Sequence, residues 1–222
     1  MKAVVLLSGG IDSAVSLFIS LHKGWELHPL TFNYYMRPKR EVEAVAELTD
    51  LCGCRENLIR VDFPFLMEIE DMVEHGLDNS RLKRAPPTYI PARNLIFYSV
   101  AAHYAEVRAA RWIVGGHNGF DSSIFPDASP EFFEAMNRVL GLGLLTGHDS
   151  PVEVINPLQG LSKTDVIRIG REHQVPLETT WSCAQDLEMP CGECLSCKER
   201  AEAFRRAELD DPLLLRISRK AL

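Results

Sequence analysis

Apolar residues along the chain fall into two alternating patterns. Short, largely β-branched runs at residues 2–7 (KAVVLL), 26–32 (ELHPLTF), 58–61, 111–115 (RWIVG) and 152–156 read as strands. Unbroken apolar runs of that length suit parallel strands buried on both faces. Between them, apolar residues recur at helical spacing: Val15, Leu17, Phe18 and Leu21, then Val42, Val45, Ala46 and Leu48. Asp12 or Ser13 is placed to cap the first of these helices, and Gly24 to end it. Further helices are expected over residues 40–51, 93–107, 130–145, 162–172 and 192–208, with Pro130 in a first turn and Ser162 as a cap. A short helix is expected within 65–75, a polar, Pro-rich loop over 81–87, and a loop over 116–129. The opening order βαβαβ, with two more strands after it, predicts an α/β fold with a doubly wound, mostly parallel five-stranded sheet. Residues 1–175 are expected to form that domain. Residues 176–222 are expected to form a small zinc-binding helical region packed on it. The tail from Asp210 onward suggests no role.

Composition narrows the class. The chain has 222 residues, 46% of them hydrophobic, enough to bury a core without disulfide staples. With 24 Lys and Arg against 31 Asp and Glu, the formal charge is −7. That balance argues against direct nucleic-acid binding, which needs a surplus of cations to displace counterions from phosphates. No apolar run approaches the roughly 18 residues of a membrane span. AVVLL stops at Ser8-Gly9-Gly10 and makes no secretory h-region, so a cytoplasmic protein is expected.

Six cysteines are unevenly placed. Cys52 and Cys54 read as free thiols partly packed in the core. The other four follow the pattern Cys183-x7-Cys191-x2-Cys194-x2-Cys197, which in a cytosolic chain points to a metal before it points to disulfides. Four thiolates suit tetrahedral zinc and leave no position open for water, so the site is expected to be structural. An iron–sulfur cluster is the competing assignment.

Four further segments carry chemistry. Ser8-Gly9-Gly10-Ile11-Asp12-Ser13 lies between the first strand and first helix, where glycines allow a sharp turn and helix amides face an anion. It lacks the Gly-Lys-Ser/Thr ending of a Walker loop. Asp12 is placed to hold magnesium or orient a nucleotide. Tyr89-Ile90-Pro91-Ala92-Arg93-Asn94 opens a helix at the edge of the sheet where ligands bind in such folds. Gly115 through Asp127 follows the fourth strand and offers Asp121, Phe125 and Asp127 to a heterocycle rich in N–H donors. In Pro157–Asp165, Lys163 is placed to neutralise phosphate. Taken singly, the last three also fit a solvated arginine, an ordinary surface loop and a solvated lysine.

The hexapeptide resembles the pyrophosphate loop of the N-type ATP pyrophosphatases. Together, SGGIDS, YIPARN, GFDSSIFPD with PEF, PLQGLSKTD and TWSC…PCGECLSCKER resemble the 7-cyano-7-deazaguanine synthase family over about residues 3–205. The resemblance implies a Rossmann-like, adenine nucleotide alpha hydrolase-like fold in a cytosolic homodimer with zinc. It implies a ligase that uses ATP, Mg2+ and ammonia to turn 7-carboxy-7-deazaguanine into the nitrile, in queuosine and 7-deazapurine biosynthesis. It places ATP on Leu7, Ser8, Gly9, Gly10, Ile11, Asp12, Ser13, Ala14, Val15, Ser16 and Leu17. Asp12, Ser13, Arg93 and Lys163 would act in catalysis. Tyr34, Arg93, Asn94, Asp121, Phe125 and Asp127 would line the substrate site, and the four cysteines would bind the metal.

Two segments depart from the family pattern. Tyr35-Met36-Arg37-Pro38-Lys39 stands where Gln-Arg-His usually follows a tyrosine. Phe125-Pro126-Asp127-Ala128-Ser129 stands where Tyr-Pro-Asp-Cys-Arg is common. Both follow strands whose ends face one crevice. A paralogue that conjugates a deazapurine carboxylate to another acceptor, such as a protein amine, is therefore a second reading. A tRNA-thiolating pyrophosphatase and a non-catalytic zinc-bearing nucleotide module are the readings from other classes.

Overall fold

The computed structural model describes residues 1–76, 80–82, 84–86 and 88–220. These hold five strands: β1 (Lys2–Leu6), β2 (Glu26–Tyr34), β3 (Ile59–Phe63), β4 (Trp112–Val114) and β5 (Glu153–Ile155). All pair in parallel, in the order β3-β2-β1-β4-β5. The order reverses between β1 and β4, and the crevice at their C-terminal ends is where such sheets bind ligands. β2 runs two residues past its expected end, because Asn33 and Tyr34 still pair with Asp62 and Phe63.

Helices cover both faces. α1 (Ile11–His22), α2 (Lys39–Leu51), α7 (Lys163–Glu172) and α8 (Leu195–Ala207) lie on one side. α4 (Arg93–Arg108) and α6 (Pro130–Gly143) lie on the other. Alternation along β1 explains the split: Ala3 and Val5, with Leu7 just beyond the strand, pack with Val15, Leu17, Val45 and Val166, whereas Val4 packs with Tyr98, Ala101 and Met136. α8 is built into the first layer, since Ala203 and Phe204 belong to that core. Cys54 is buried and Cys52 packs beside it, both as free thiols.

Two local expectations are corrected, and the tail gains a structure. Neither Asp12 nor Ser13 caps α1; the helix starts at Ile11 with Gly10 as its cap residue and no side chain on its amides. The segment 116–129 is not all loop. It contains α5 (Gly119–Ile124), opened by an Asn118–Asp121 capping box, and a 3-10 turn at Pro126–Ala128. The tail is ordered as α9 (Pro212–Lys220). Its Leu213 packs on Trp181, Cys183 and Cys197, and Arg216 pairs with Glu47 at 2.8 Å. The short helix within 65–75 is α3 (Ile69–Glu74), and Ser162 caps α7 through a capping box with Asp165. Ser80–Leu82 is a 3-10 turn; the loop expected over 81–87 includes residues 83 and 87, which lie outside the described residues.

Candidate active site

The turn after β1 is held by its carbonyls. The Ser8 carbonyl accepts from Arg37 Nη2 at 2.6 Å, the Gly9 carbonyl from the Trp181 N–H at 2.9 Å, and the Gly10 carbonyl from Ser13 Oγ at 3.0 Å. With its oxygens turned into the protein, the loop presents the first-turn amides of α1, which have no intrahelical partners and no side-chain cap. That is an anion site by backbone geometry and helix dipole together. Gly9 is required here. Its φ is +96°, and a Cβ would stand 2.5 Å from the Glu41 carbonyl oxygen. Ile11, Ala14, Val15, Ser16 and Leu17 are fully or almost fully buried. They seat α1 in the core, while Leu7, Ser8, Gly10, Asp12 and Ser13 line a cavity of about 290 Å3.

Across the cavity from the loop stand Phe32 and Tyr34 from β2, Arg93, Asn94 and Phe97 from α4, and His117, Asp121 and Phe125 after β4. Arg93 makes no ion pair among the described residues. Asp12 is shared: Lys163, the first residue of α7, places its ammonium on one carboxylate oxygen, and Asn118 Nδ2 donates to the other at 3.2 Å. Burial alone would pull Lys163 down, but Asp12 and then Glu199 outweigh it and hold the ammonium above its ordinary range. Burial, with Asp12 nearby, raises Asp121. Burial, helped by Glu41, pushes the Tyr34 phenol up to about 12. Burial and the Arg93 charge hold His117 down at about 4, against the pull of Asp12.

Asp127 does not line that cavity but shares a smaller pocket with Arg93 and Phe125. Its carboxylate accepts the Asn94 N–H at 3.0 Å, its main-chain oxygen accepts from Asn94 Nδ2 at 3.1 Å, and it borders that pocket beside Tyr89. It therefore positions the start of α4, and Asn94 with it. The two departing segments also resolve. Arg37 is turned inward, onto Thr31 Oγ1, the Phe32 carbonyl and Glu41 as well as Ser8. Ala128 is fully buried, and Ser129 caps α6 through the Phe132 N–H at 3.2 Å. Arg37, Trp181 and His117 are the site residues that motif reading missed. Arg37 was visible only as part of a departing segment, and Trp181 only as the neighbour of a cysteine motif.

The four cysteines converge. Their sulfurs all lie within 4.8 Å of one another, with Cys191 and Cys197 at 3.9 Å. A tetrahedral zinc with Zn–S bonds of about 2.3 Å sets sulfurs roughly 3.8 Å apart, so the donor set fits that ion. Backbone N–H groups of Gln185, Cys191, Cys194 and Cys197 point at the sulfurs at 3.3–3.4 Å. The amides of Cys194 and Glu193 bring the Cys191 thiol down to about 6. Trp181 joins the cluster to the loop: its ring N–H donates to the Cys183 carbonyl at 3.0 Å, and its main-chain N–H donates to Gly9. Arg200 braces the same stretch. It holds Asp211 at 2.7 Å and also reaches Thr180 Oγ1 and the Leu177 carbonyl, with both charged side chains buried.

Known proteins share the fold. A solved complex of a 4-thiouridine synthetase with RNA and bound ATP superposes with a TM-score of 0.52 at 20% identity, over 96% of this chain and 52% of that one. A predicted tRNA methyltransferase subunit from Methanocaldococcus jannaschii gives 0.50 at 19% identity, over 78% and 75%. These likenesses concern the fold alone. Sequence relatives are nearer. A 7-cyano-7-deazaguanine synthase of Thermoplasma acidophilum is 40% identical over 96% of this chain and 91% of its own length. Those of Thermosynechococcus vestitus and Acetivibrio thermocellus are 40% and 38% identical over 96% of the chain, covering 94% and 96% of their own lengths. The family model described as queuosine biosynthesis protein QueC matches residues 2–208. This chain belongs to that family, whose curated relatives include these 7-cyano-7-deazaguanine synthases.

Proposed function

We propose that the protein is an ATP-dependent ligase that converts 7-carboxy-7-deazaguanine and ammonia into 7-cyano-7-deazaguanine. The observation that carries this reading is one cavity with a phosphate cradle on one wall and Arg93, Asn94 and Asp121 on the other. A carboxylate is a poor electrophile. Its oxygen attacks the α-phosphorus of ATP, pyrophosphate leaves, and an acyl-adenylate forms. Ammonia adds at the acyl carbon, and AMP leaves to give the primary amide with release of a proton. The amide oxygen then attacks the α-phosphorus of a second ATP, and pyrophosphate leaves. The nitrogen loses its remaining protons as AMP departs, and the nitrile is left.

The chain contributes placement and charge rather than covalent chemistry. The α1 amides with Ser8 and Ser13 cradle pyrophosphate, and Lys163 and Arg93 offset phosphate charge. Asp12 is the carboxylate that would hold Mg2+, which neutralises phosphate when bound. Zinc on Cys183, Cys191, Cys194 and Cys197 would be structural. Ala128 and Ser129 serve the core and a helix cap, which supports ammonia as the acceptor over a protein amine. The family resemblance adds a cytoplasmic homodimer. Val139 and Leu142 on α6, with Leu145 beyond it, are apolar and exposed, and no described helix is long and apolar enough to cross a membrane.

The test is incubation with ATP, ammonium and 7-carboxy-7-deazaguanine. The expected products are the nitrile, AMP and pyrophosphate, with one ATP consumed per adenylation. ADP and phosphate, or no product from the carboxylate, would overturn the reading.

A further inference from the structure

Gly115 and Gly116 leave the C-terminal end of β4 and deliver the next side chain to the cavity. A Cβ on Gly116 would stand 3.0 Å from the Asp12 carbonyl carbon and the Ser13 nitrogen, so the chain here is pressed against the start of α1. On the other side, Asn118 is fixed through its side chain to Asp12 and through its own N–H to Asp121, each at 3.2 Å. His117 is held between these two anchors and lines the cavity with Arg93, Asn94 and Asp121.

Its ring has an aromatic backing. Tyr98 lies 5.9 Å away and Phe133 5.4 Å away, centroid to centroid. The Tyr98 hydroxyl does not serve the histidine, because it donates to Asn156 at 3.3 Å. Neither ring nitrogen of His117 has a hydrogen-bond partner among the described residues. A positioned imidazole with apolar support and no partner, facing a ligand cavity, is equipped to bond what enters.

Its protonation state bears on what it can bond. Burial and Arg93 keep the ring neutral at ordinary pH. A neutral imidazole carries one N–H donor and one acceptor nitrogen. The reaction proposed above presents two different groups in turn at one place, an anionic carboxylate and then an uncharged carboxamide. A cation at this position would favour the first and release the second. A neutral N–H donor bonds an oxygen that both groups possess.

We propose that His117 is a specificity-determining residue whose imidazole N–H donates a hydrogen bond to the acyl oxygen of the bound heterocycle, the carboxylate first and the carboxamide after it. The proposal rests on the function proposed above.

The experiment is calorimetric titration of the zinc-loaded protein with 7-carboxy-7-deazaguanine and, separately, with its 7-carboxamide, in the wild type, His117→Val and His117→Gln. ATP affinity and zinc content are measured alongside. His117→Val is expected to weaken both ligands to a similar degree, on the order of 10-fold. His117→Gln, which keeps a neutral donor, is expected to recover most of that loss, and ATP affinity and zinc content stay unchanged. Unaltered affinities in His117→Val overturn the proposal, as does a loss confined to the carboxylate, which would indicate a charge effect. A general loss that extends to ATP affinity or zinc content also overturns it, in favour of a purely structural role. If the wild type binds neither ligand, the functional reading itself fails and this proposal fails with it. A wild type that binds both ligands and makes the nitrile, beside an indifferent His117→Val, sinks only the proposal.

Discussion

The loop at Ser8–Ser13 and the thiol region around Cys183–Cys197 are built on opposite plans. The loop is made from backbone: three carbonyls tied down, uncapped amides turned outward, and a glycine at φ +96° where a side chain would meet the Glu41 carbonyl. The thiol region is made from side chains, with four sulfurs gathered in space and a buried Arg200–Asp211 pair beside them. The loop does not hold itself alone; two of its three carbonyl ties come from Arg37 and Trp181, distant in sequence. The more local a site is in sequence, the more its rigidity is borrowed from elsewhere.

Breaking the four-cysteine cluster should disturb the comparison most severely. Cys194→Ser is expected to yield little soluble protein, since a four-cysteine zinc site supplies on the order of 10 kcal/mol of folding free energy. Elemental analysis of the wild type should give one zinc per chain, and iron with inorganic sulfide would be the contrary result. A change in the loop should separate the two regions the other way. Asp12→Ala is expected to lower product formation by at least about 100-fold, with circular dichroism and zinc content unchanged.

Between these lies the brace. Arg200→Ala leaves Asp211 buried without its partner and should cost about 3–5 kcal/mol of stability, read by urea denaturation. His117 gives a pH-dependent contribution. Its folded pKa of about 4 lies below the ordinary value of 6.5, so the unfolded chain binds its proton first as pH falls. Stability tied to this group is present above about pH 6.5 and is lost as pH falls toward 4, a total of about 3 kcal/mol. His117→Val should flatten that part of the wild-type stability curve. The smallest effect is expected from Arg37→Met, which frees the Ser8 carbonyl. Of the bonds Arg37 makes, the one to Ser8 is the tie to the loop, and its loss should raise the KM for ATP by about tenfold, with zinc content unaltered.

The legible parts share a property: each is written in consecutive residues. The five strands, the SGGIDS turn, the Ser162 cap and the cysteine spacing all depend on near neighbours, and the structure holds them close to where the pattern placed them. The mistaken parts depend on competition. Asp12 and Ser13 looked like caps, but Lys163 and Asn118 take Asp12, and Ser13 folds back on Ser8 and Gly10. The polar stretch after β4 looked like a loop because it is short of apolar residues. Its capping box makes α5 with almost no hydrophobic pattern to announce it. Asp127, read as a ligand for a heterocycle, also has a structural task that spacing did not show, since one carboxylate oxygen accepts from Asn94. Arg37 and Trp181 act across the fold on Ser8 and Gly9, and no spacing rule connects them.

The hydrogen bond from Trp181 to Gly9 has a consequence for how the protein is made. Synthesis runs from the N-terminus, so the Ser8–Ser13 turn leaves the ribosome early and all five strands follow before Cys183 emerges. Until the last part of the chain arrives, the Gly9 carbonyl lacks the partner that turns it inward, and the amides beside it are not yet fixed. Competence to spend ATP is therefore expected to come last, once the C-terminal segment has closed over a sheet that is already complete. A nascent chain with its cysteines still in the exit tunnel carries the Ser8–Ser13 turn without the bond that fixes Gly9.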